Sequence, residues 1–328
     1  MGHVAVCDAD GRLLAAAGDP LRSVFARSSM KPLQAAVALR AIGEELPDDL
    51  VAVMCASHSG ERVHVEAVRR LLARGGLDFS ALRCPPMWPM DEHARARAAR
   101  PRPELGDCSG KHAGMLLACV RSGWDTGTYL EPTHPLQRRV GRAVLRATGE
   151  RSVVVGVDGC GVPVHGVPLA AMATLYARLA RPERLGGLAS QARRCVAAMR
   201  AEPYLVAGRD RPDTLLMQAS AGVVAKSGAE GLACASVLEG GIGVALKVQD
   251  GAGRASGPGI VRALELLGAL SPLELEALRS VARRPVTGGE EVVGEVVSDF
   301  ALRRPRSSEI RGRAVAGATE RAASRTIE

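Results

Sequence analysis

Arg27-Ser28-Ser29-Met30-Lys31-Pro32-Leu33-Gln34, running on to Ile42, is the stretch on which the reading of this 328-residue chain turns. Leu33 to Ile42 reads as a helix, and Pro32 is acceptable in its first turn, where a missing N–H costs nothing. On a helix, positions i and i+3 share a face, so the Lys31 amine can reach the Ser28 hydroxyl. A neutral lysine there is a general base for a serine nucleophile, provided burial or a nearby cation lowers its pKa from ~10.4. Arg27 is one such cation. The competing reading is a serine helix cap beside an exposed lysine.

Lysine is scarce enough for its positions to carry weight. Of 43 basic residues all but Lys31, Lys111, Lys226 and Lys247 are Arg, and Asn is absent. This Ala-, Arg- and Gly-rich bias replaces Lys by Arg wherever a plain surface cation suffices. The surviving lysines are then candidates for chemistry that a permanently charged guanidinium cannot do.

Lys226-Ser227-Gly228 follows the apolar run Val223-Val224-Ala225. Serine β-lactamases and transpeptidases combine Ser-x-x-Lys on a helix, a middle Ser-containing motif and Lys-Thr/Ser-Gly on a strand. Ser57-His58-Ser59 is the middle candidate here, with Ser rather than Asn in its third position. The order permits two Ser–Lys pairs, Ser28–Lys31 and Ser57–Lys226, in one cleft. Lys226 as a surface strand residue is the alternative.

A second constellation joins Cys108-x-x-Lys111-His112 to Asp158-Gly159-Cys160. Two cysteines beside glycines at element edges could converge on a soft metal such as Zn²⁺. The usual Cys-x-x-Cys spacing is missing, so a disulfide or two unrelated thiols stay open. Cys7, Cys119, Cys195 and Cys234 lie in apolar surroundings and read as small core residues.

The rest of the chain bounds what these residues can belong to. A hydrophobic share of 47% with 24% charged residues is that of a soluble globular protein. No apolar run approaches the ~18 residues of a membrane span, no export signal is visible, and eight cysteines without one favour reduced thiols and a cytoplasmic setting. Half of the +8 net charge lies in residues 303–328, with seven Arg against three Glu. We expect residues 1–302 to form a single catalytic domain and 303–328 an Arg-rich disordered tail. With so few aromatics for base stacking, nucleic-acid binding is not expected. A β-hairpin (His3–Asp8, Leu13–Ala17), helices, a buried strand at Val153–Val157, a long loop over Pro85–Pro103, a run of strands from Val223 and a last strand at Glu291–Val297 suggest an α+β fold. In it a helical cluster is inserted in an antiparallel sheet.

Arg27 to Gln34, Cys55-Ala56-Ser57-His58-Ser59-Gly60-Glu61, Cys108-Ser109-Gly110-Lys111-His112-Ala113-Gly114-Met115, Asp158 to Pro163 and Ala225 to Gly231 together closely resemble the L-asparaginase II family of the rhizobial type, from about residue 3 to 300. The resemblance implies a serine-β-lactamase-like fold and hydrolysis of L-asparagine to L-aspartate and ammonia. It implies Ser28 as nucleophile and Lys31 as base, Ser57 and Lys226 as a second pair, and a zinc ion on Cys108, Lys111 and Cys160 that aids substrate binding or site order without being strictly required. It also suggests a homodimer. Arg27 is a candidate for the substrate carboxylate and Glu61 or Asp158 for its ammonium, with His58 and His112 also expected at the substrate.

Two departures stand out: Asp107 occupies a position where the family has Asn, and the chain starts after a strand the family usually has, so a truncated N-terminus or a misassigned start site is expected. The alternatives are an acyl enzyme of the β-lactamase or transpeptidase kind acting on another amide, and a catalytically silent zinc-binding homologue.

Overall fold

The computed structural model describes residues 1–307 and 309. The chain begins with the expected hairpin, β1 (Gly2–Asp8) and β2 (Leu13–Ala17), and a short β3 (Ser23–Phe25). The helices α1 (Lys31–Ile42), α2 (Asp48–Met54), α3 (Arg62–Ala73), α4 (Glu92–Arg97), α5 (Ser109–Ser122) and α6 (Pro135–Thr148) follow. Then come β4 (Val154–Val157), β5 (Pro163–Pro168), α7 (Leu169–Ala180), α8 (Ala189–Ala201), α9 (Pro203–Val206) and α10 (Pro212–Ala219). The strands β6 (Val223–Ser227), β7 (Leu232–Val237) and β8 (Ile242–Val248) precede α11 (Ser256–Leu266), two short helices and an outlying hairpin, β9 (Arg284–Gly288) and β10 (Glu291–Val296).

Five of these strands form one antiparallel sheet in the order β2-β1-β8-β7-β6. Its inner strands are apolar on both faces (Val4 to Cys7, Leu232 to Val237), because α7 covers one face and α11 packs on the other. A Cβ at Gly243 of β8 would sit 1.9 Å from the Ala173 carbonyl oxygen, so only glycine lets the α7 backbone lie this close to the sheet. A helical cluster built on α1 and α5, with α2, α3, α6 and α8 around them, lies beside it. The α+β expectation of an antiparallel sheet with flanking helices and a helical cluster holds.

Leu50–Cys55 lies mostly in α2, whose acidic first turn (Asp48, Asp49) suits a helix start. Two local expectations change. The Val153–Val157 run is not buried: β4 is the edge of a second sheet, β3-β5-β4, with Val154 66% and Val157 75% exposed. An all-apolar run reads as buried, and nothing in its pattern marks an edge. The Pro85–Pro103 loop contains α4 and folds back on itself through Met87 and Arg102. Its Asp91 N–H donates to Ser59 O at 3.0 Å, so the loop does lie over one of the candidate motifs.

The boundary expected at residue 302 falls where Arg303 pairs its backbone with Ala16 on the outer edge of β2. The Arg303 guanidinium bonds Gly18 O and Glu309. The described start of the Arg-rich segment is therefore docked on the sheet. The remainder of the expected tail lies outside the described residues.

Candidate active site

The motifs meet where the first turns of α1 and α5 face the loop after α2 and the edge strand β6. Two close approaches bring these elements together. A Cβ at Gly110 of α5 would lie 2.1 Å from Val53 O, and one at Gly114 would meet the Met54 side chain at 2.7 Å. The two glycines, one helical turn apart, let α5 pack directly on α2. That packing sets Lys111 and the Asp107–Cys108 turn beside the Cys55–Gly60 loop.

Ser28 sits on a 3₁₀ turn, Arg27–Met30, that runs straight into α1. Arg27 has φ +45°, a conformation uncommon for a residue with a Cβ, and it turns the chain sharply just before the serine. Ser28 is half-buried, and among the described residues its hydroxyl makes no hydrogen bond. Lys31 is 1% exposed. Its amine donates to Ala56 O at 2.7 Å, to Ser57 Oγ at 2.9 Å and to Asp107 O at 3.2 Å, with Asp107 Oδ2 at 3.5 Å.

The hydrogen bonds do not follow the expected pairing. Lys31 is bonded to Ser57 and not to Ser28, and Lys226 is bonded to neither serine. The Lys226 amine, fully buried, donates to Ser227 O at 2.8 Å and lies 3.3 Å from Asp213 Oδ2. Sharing a helix face places two Cβ atoms together but leaves a four-carbon side chain free to reach past its neighbour.

Electrostatics tie the groups into one site. Burial favours the neutral form of Asp107, but Lys31, then His58, Lys226 and Lys111, outweigh it and hold the carboxyl down at about 2. Burial pushes Lys226 below the usual lysine range; Asp213 opposes this and the charge of Lys31 adds to it.

Cys108, Lys111 and Cys160 also converge. Lys111 Nζ lies 3.0 Å from Cys160 Sγ. A hydrogen bond from the Cys108 thiol, opposed by burial and helped by Lys111, draws Cys160 far below the usual thiol range, while the same bond raises Cys108. Against burial, the two sulfurs raise Lys111. A thiolate, a second thiol and an amine would suit a thiophilic cation. Among the described residues no three His, Cys, Asp or Glu side chains form such a cluster.

Other candidates are engaged elsewhere. His58 is fully buried: Nδ1 accepts from Gly60 N–H at 3.1 Å, so Nε2–H points at Ser109 Oγ at 2.8 Å, and that hydroxyl donates to Glu104 O. It braces the loop behind Ser57 and is not at a substrate surface. His112 is equally buried, with Nδ1 2.7 Å from the Tyr129 hydroxyl and its ring against Cys160. It stands behind the sulfur cluster. Glu61 accepts from the Tyr204 hydroxyl and Arg209 N–H. Arg27 bridges Asp158 at 2.7 Å and Glu230 at 2.6 Å. Asp213 was not legible at all: it stands in an ordinary charged stretch, Arg209-Asp210-Arg211-Pro212-Asp213, outside every motif.

A half-buried serine thus stands beside buried hydroxyls and buried lysines. A family model for L-asparaginase II matches residues 1–298, and the chain belongs to that family of asparaginase-type amidohydrolases. No curated protein is detectably similar in sequence. Among solved structures, a β-lactamase from Mycobacterium bovis is similar over 82% of this chain and 95% of its own, at 17% identity and a TM-score of 0.45. A structure of Mglu in its tris and glutamate form is similar over 82% and 59%, at 15% identity and a TM-score of 0.39. At that distance neither bears on the site.

Proposed function

We propose that this chain hydrolyses L-asparagine to L-aspartate and ammonia by acyl transfer at Ser28. The supporting observation is the Lys31–Ser57 contact at 2.9 Å, with Lys226 close enough for the charge of Lys31 to act on it. When Lys31 is neutral, its two N–H bonds go to Ala56 O and Asp107 O, and its lone pair takes the Ser57 proton. Ser57 in turn accepts the proton of Ser28 as that oxygen attacks the side-chain amide carbon. Ammonia leaves with a proton from the lysine network, and water then hydrolyses the β-aspartyl ester.

The Ser227 N–H donates to Asp213 and the Gly228 N–H to Leu232 O. The oxyanion is therefore assigned to the Ser28 turn, whose own N–H is the nearest candidate donor. Arg27 and Asp158, already paired, frame the mouth and take the α-carboxylate and α-ammonium of the substrate by exchange of partners. Cys108, Lys111 and Cys160 would hold zinc, which when bound supplies a fixed positive charge that orders the site. Lys111 must lose its proton to join it. A homodimer through the exposed β4 edge is part of the same reading.

The test is ammonia release from L-asparagine and L-glutamine, with and without added zinc. Turnover of L-asparagine that disappears in Ser28→Ala is the expected result. No ammonia under any condition, or acylation by a penicillin-type compound in its place, rejects the reading.

A further inference from the structure

Asp213 lies in the first turn of α10, 4% exposed, and accepts from both the backbone and the side chain of Ser227 at the end of β6. Both its carboxylate oxygens lie 2.9 Å from Ser227 N, Oδ2 lies 2.8 Å from Ser227 Oγ, and the same oxygen faces Lys226 Nζ at 3.3 Å. We propose that Asp213 is the positioning residue that anchors Lys226 and supplies its counter-charge, so that Lys226 is the proton donor to the departing amine while Lys31 and Ser57 handle the proton of Ser28. This rests on the acyl-transfer reading above and divides its labour between the two lysines.

The argument is one of enclosure. Lys226 is 0% exposed, and a buried ammonium survives only when paired and hydrogen-bonded. The charged and titratable groups around it are Asp213 and Arg211 from α10 and its start, Lys31 from α1, Asp107 from the loop before α5 and Cys234 from β7. Of the two carboxylates, only Asp213 touches the amine. The Ser227 contacts fix the carboxylate, and through it the tip of a side chain that four rotatable bonds leave free. In the step itself one Lys226 N–H bond breaks, its proton goes to the amide nitrogen as the C–N bond breaks, and ammonia departs. Lys226 is left neutral and regains a proton from the water that attacks the ester.

Four lysines make the experiment direct: ¹³Cε-lysine labelling gives four side-chain signals, and Lys226→Arg assigns the one that matters. In the wild-type chain the Lys226 signal should be that of an ammonium at neutral pH. In Asp213→Asn it should titrate lower by about one pH unit or more, with Lys247 unmoved. The alkaline limb of kcat should shift down with it, at little change in KM, and Asp213→Glu should restore much of the rate. A Lys226 signal that titrates identically in Asp213→Asn overturns the proposal, whatever the activity. If that variant does not fold, a neutral Lys226 amine in the wild-type chain at neutral pH overturns it equally. The signals are read without turnover, so a failure of the asparaginase reading registers separately, as absent ammonia.

Discussion

Lys31 Nζ lies 2.9 Å from Ser57 Oγ, while Ser28, on the turn of chain that leads into the same helix, is left without a hydrogen-bond partner among the described residues. The two serines should therefore respond differently to removal. Ser28→Ala should abolish ammonia release and leave unfolding free energy within about 0.5 kcal/mol of wild type, since a half-buried hydroxyl with no partner is lost. Ser57→Ala should keep the nucleophile but lower kcat by about 10²–10⁴-fold. A Ser57→Ala enzyme with wild-type kcat would show that Lys31 serves Ser28 without a relay.

His58 and His64 stack at 5.1 Å between ring centroids. Burial, chiefly, lowers both below 6.5, His58 far below. The unfolded chain thus takes up protons near pH 6.5 that the folded chain refuses, so stability is full above that pH and is lost as pH falls beneath it. The loss is up to about 1.4 kcal/mol per pH unit for each histidine. Urea unfolding across this range should show the slope, and His58→Gln should flatten it. An unchanged slope in that variant would place the proton uptake elsewhere.

Gly110 and Gly114 face α2 differently. The first opposes the Val53 backbone carbonyl, the second a flexible Met54 side chain. Gly110→Ala should cost at least about 3 kcal/mol, since backbone cannot yield, whereas Gly114→Ala should fall within the ~1–3 kcal/mol of ordinary overpacking. Thermal unfolding of the pair settles the order, and equal costs would mean that the helices separate easily.

Zinc uptake should depend on all three donors at the sulfur cluster. Cys160→Ser and Lys111→Arg are each expected to lower bound zinc after dialysis well below that of wild type, the second because guanidinium offers no lone pair. Retained stoichiometry in Lys111→Arg would remove the lysine from the ligand set.

How much of this was legible depends on what each residue's role rests on. The hairpin, α1, α5 and the strands β6 to β8 follow from periodicity and from turn residues, so their places could be read directly. Ser28, Lys31, Ser57, Lys226, Cys108, Lys111 and Cys160 stand in motifs, and the fold brings them together. The partners were not legible, because a long side chain chooses among acceptors that only tertiary structure supplies. Lys31 prefers Ser57, Ala56 O and Asp107 to Ser28, and Lys226 finds Asp213. His58 illustrates the converse: a histidine inside a motif turns out to brace a loop from within the core.

The burial of three of four lysines has a practical side. Lys31, Lys111 and Lys226 are each no more than 3% exposed, and only Lys247 is partly open to solvent. Amine-directed reagents, whether polymer-conjugating esters, crosslinkers or resin-coupling chemistries, therefore find Lys247 as the accessible lysine of the folded chain. Lys247 lies on β8, paired in register with His3 and Leu232. A label placed there marks a single region of the surface and leaves the three buried lysines unmodified.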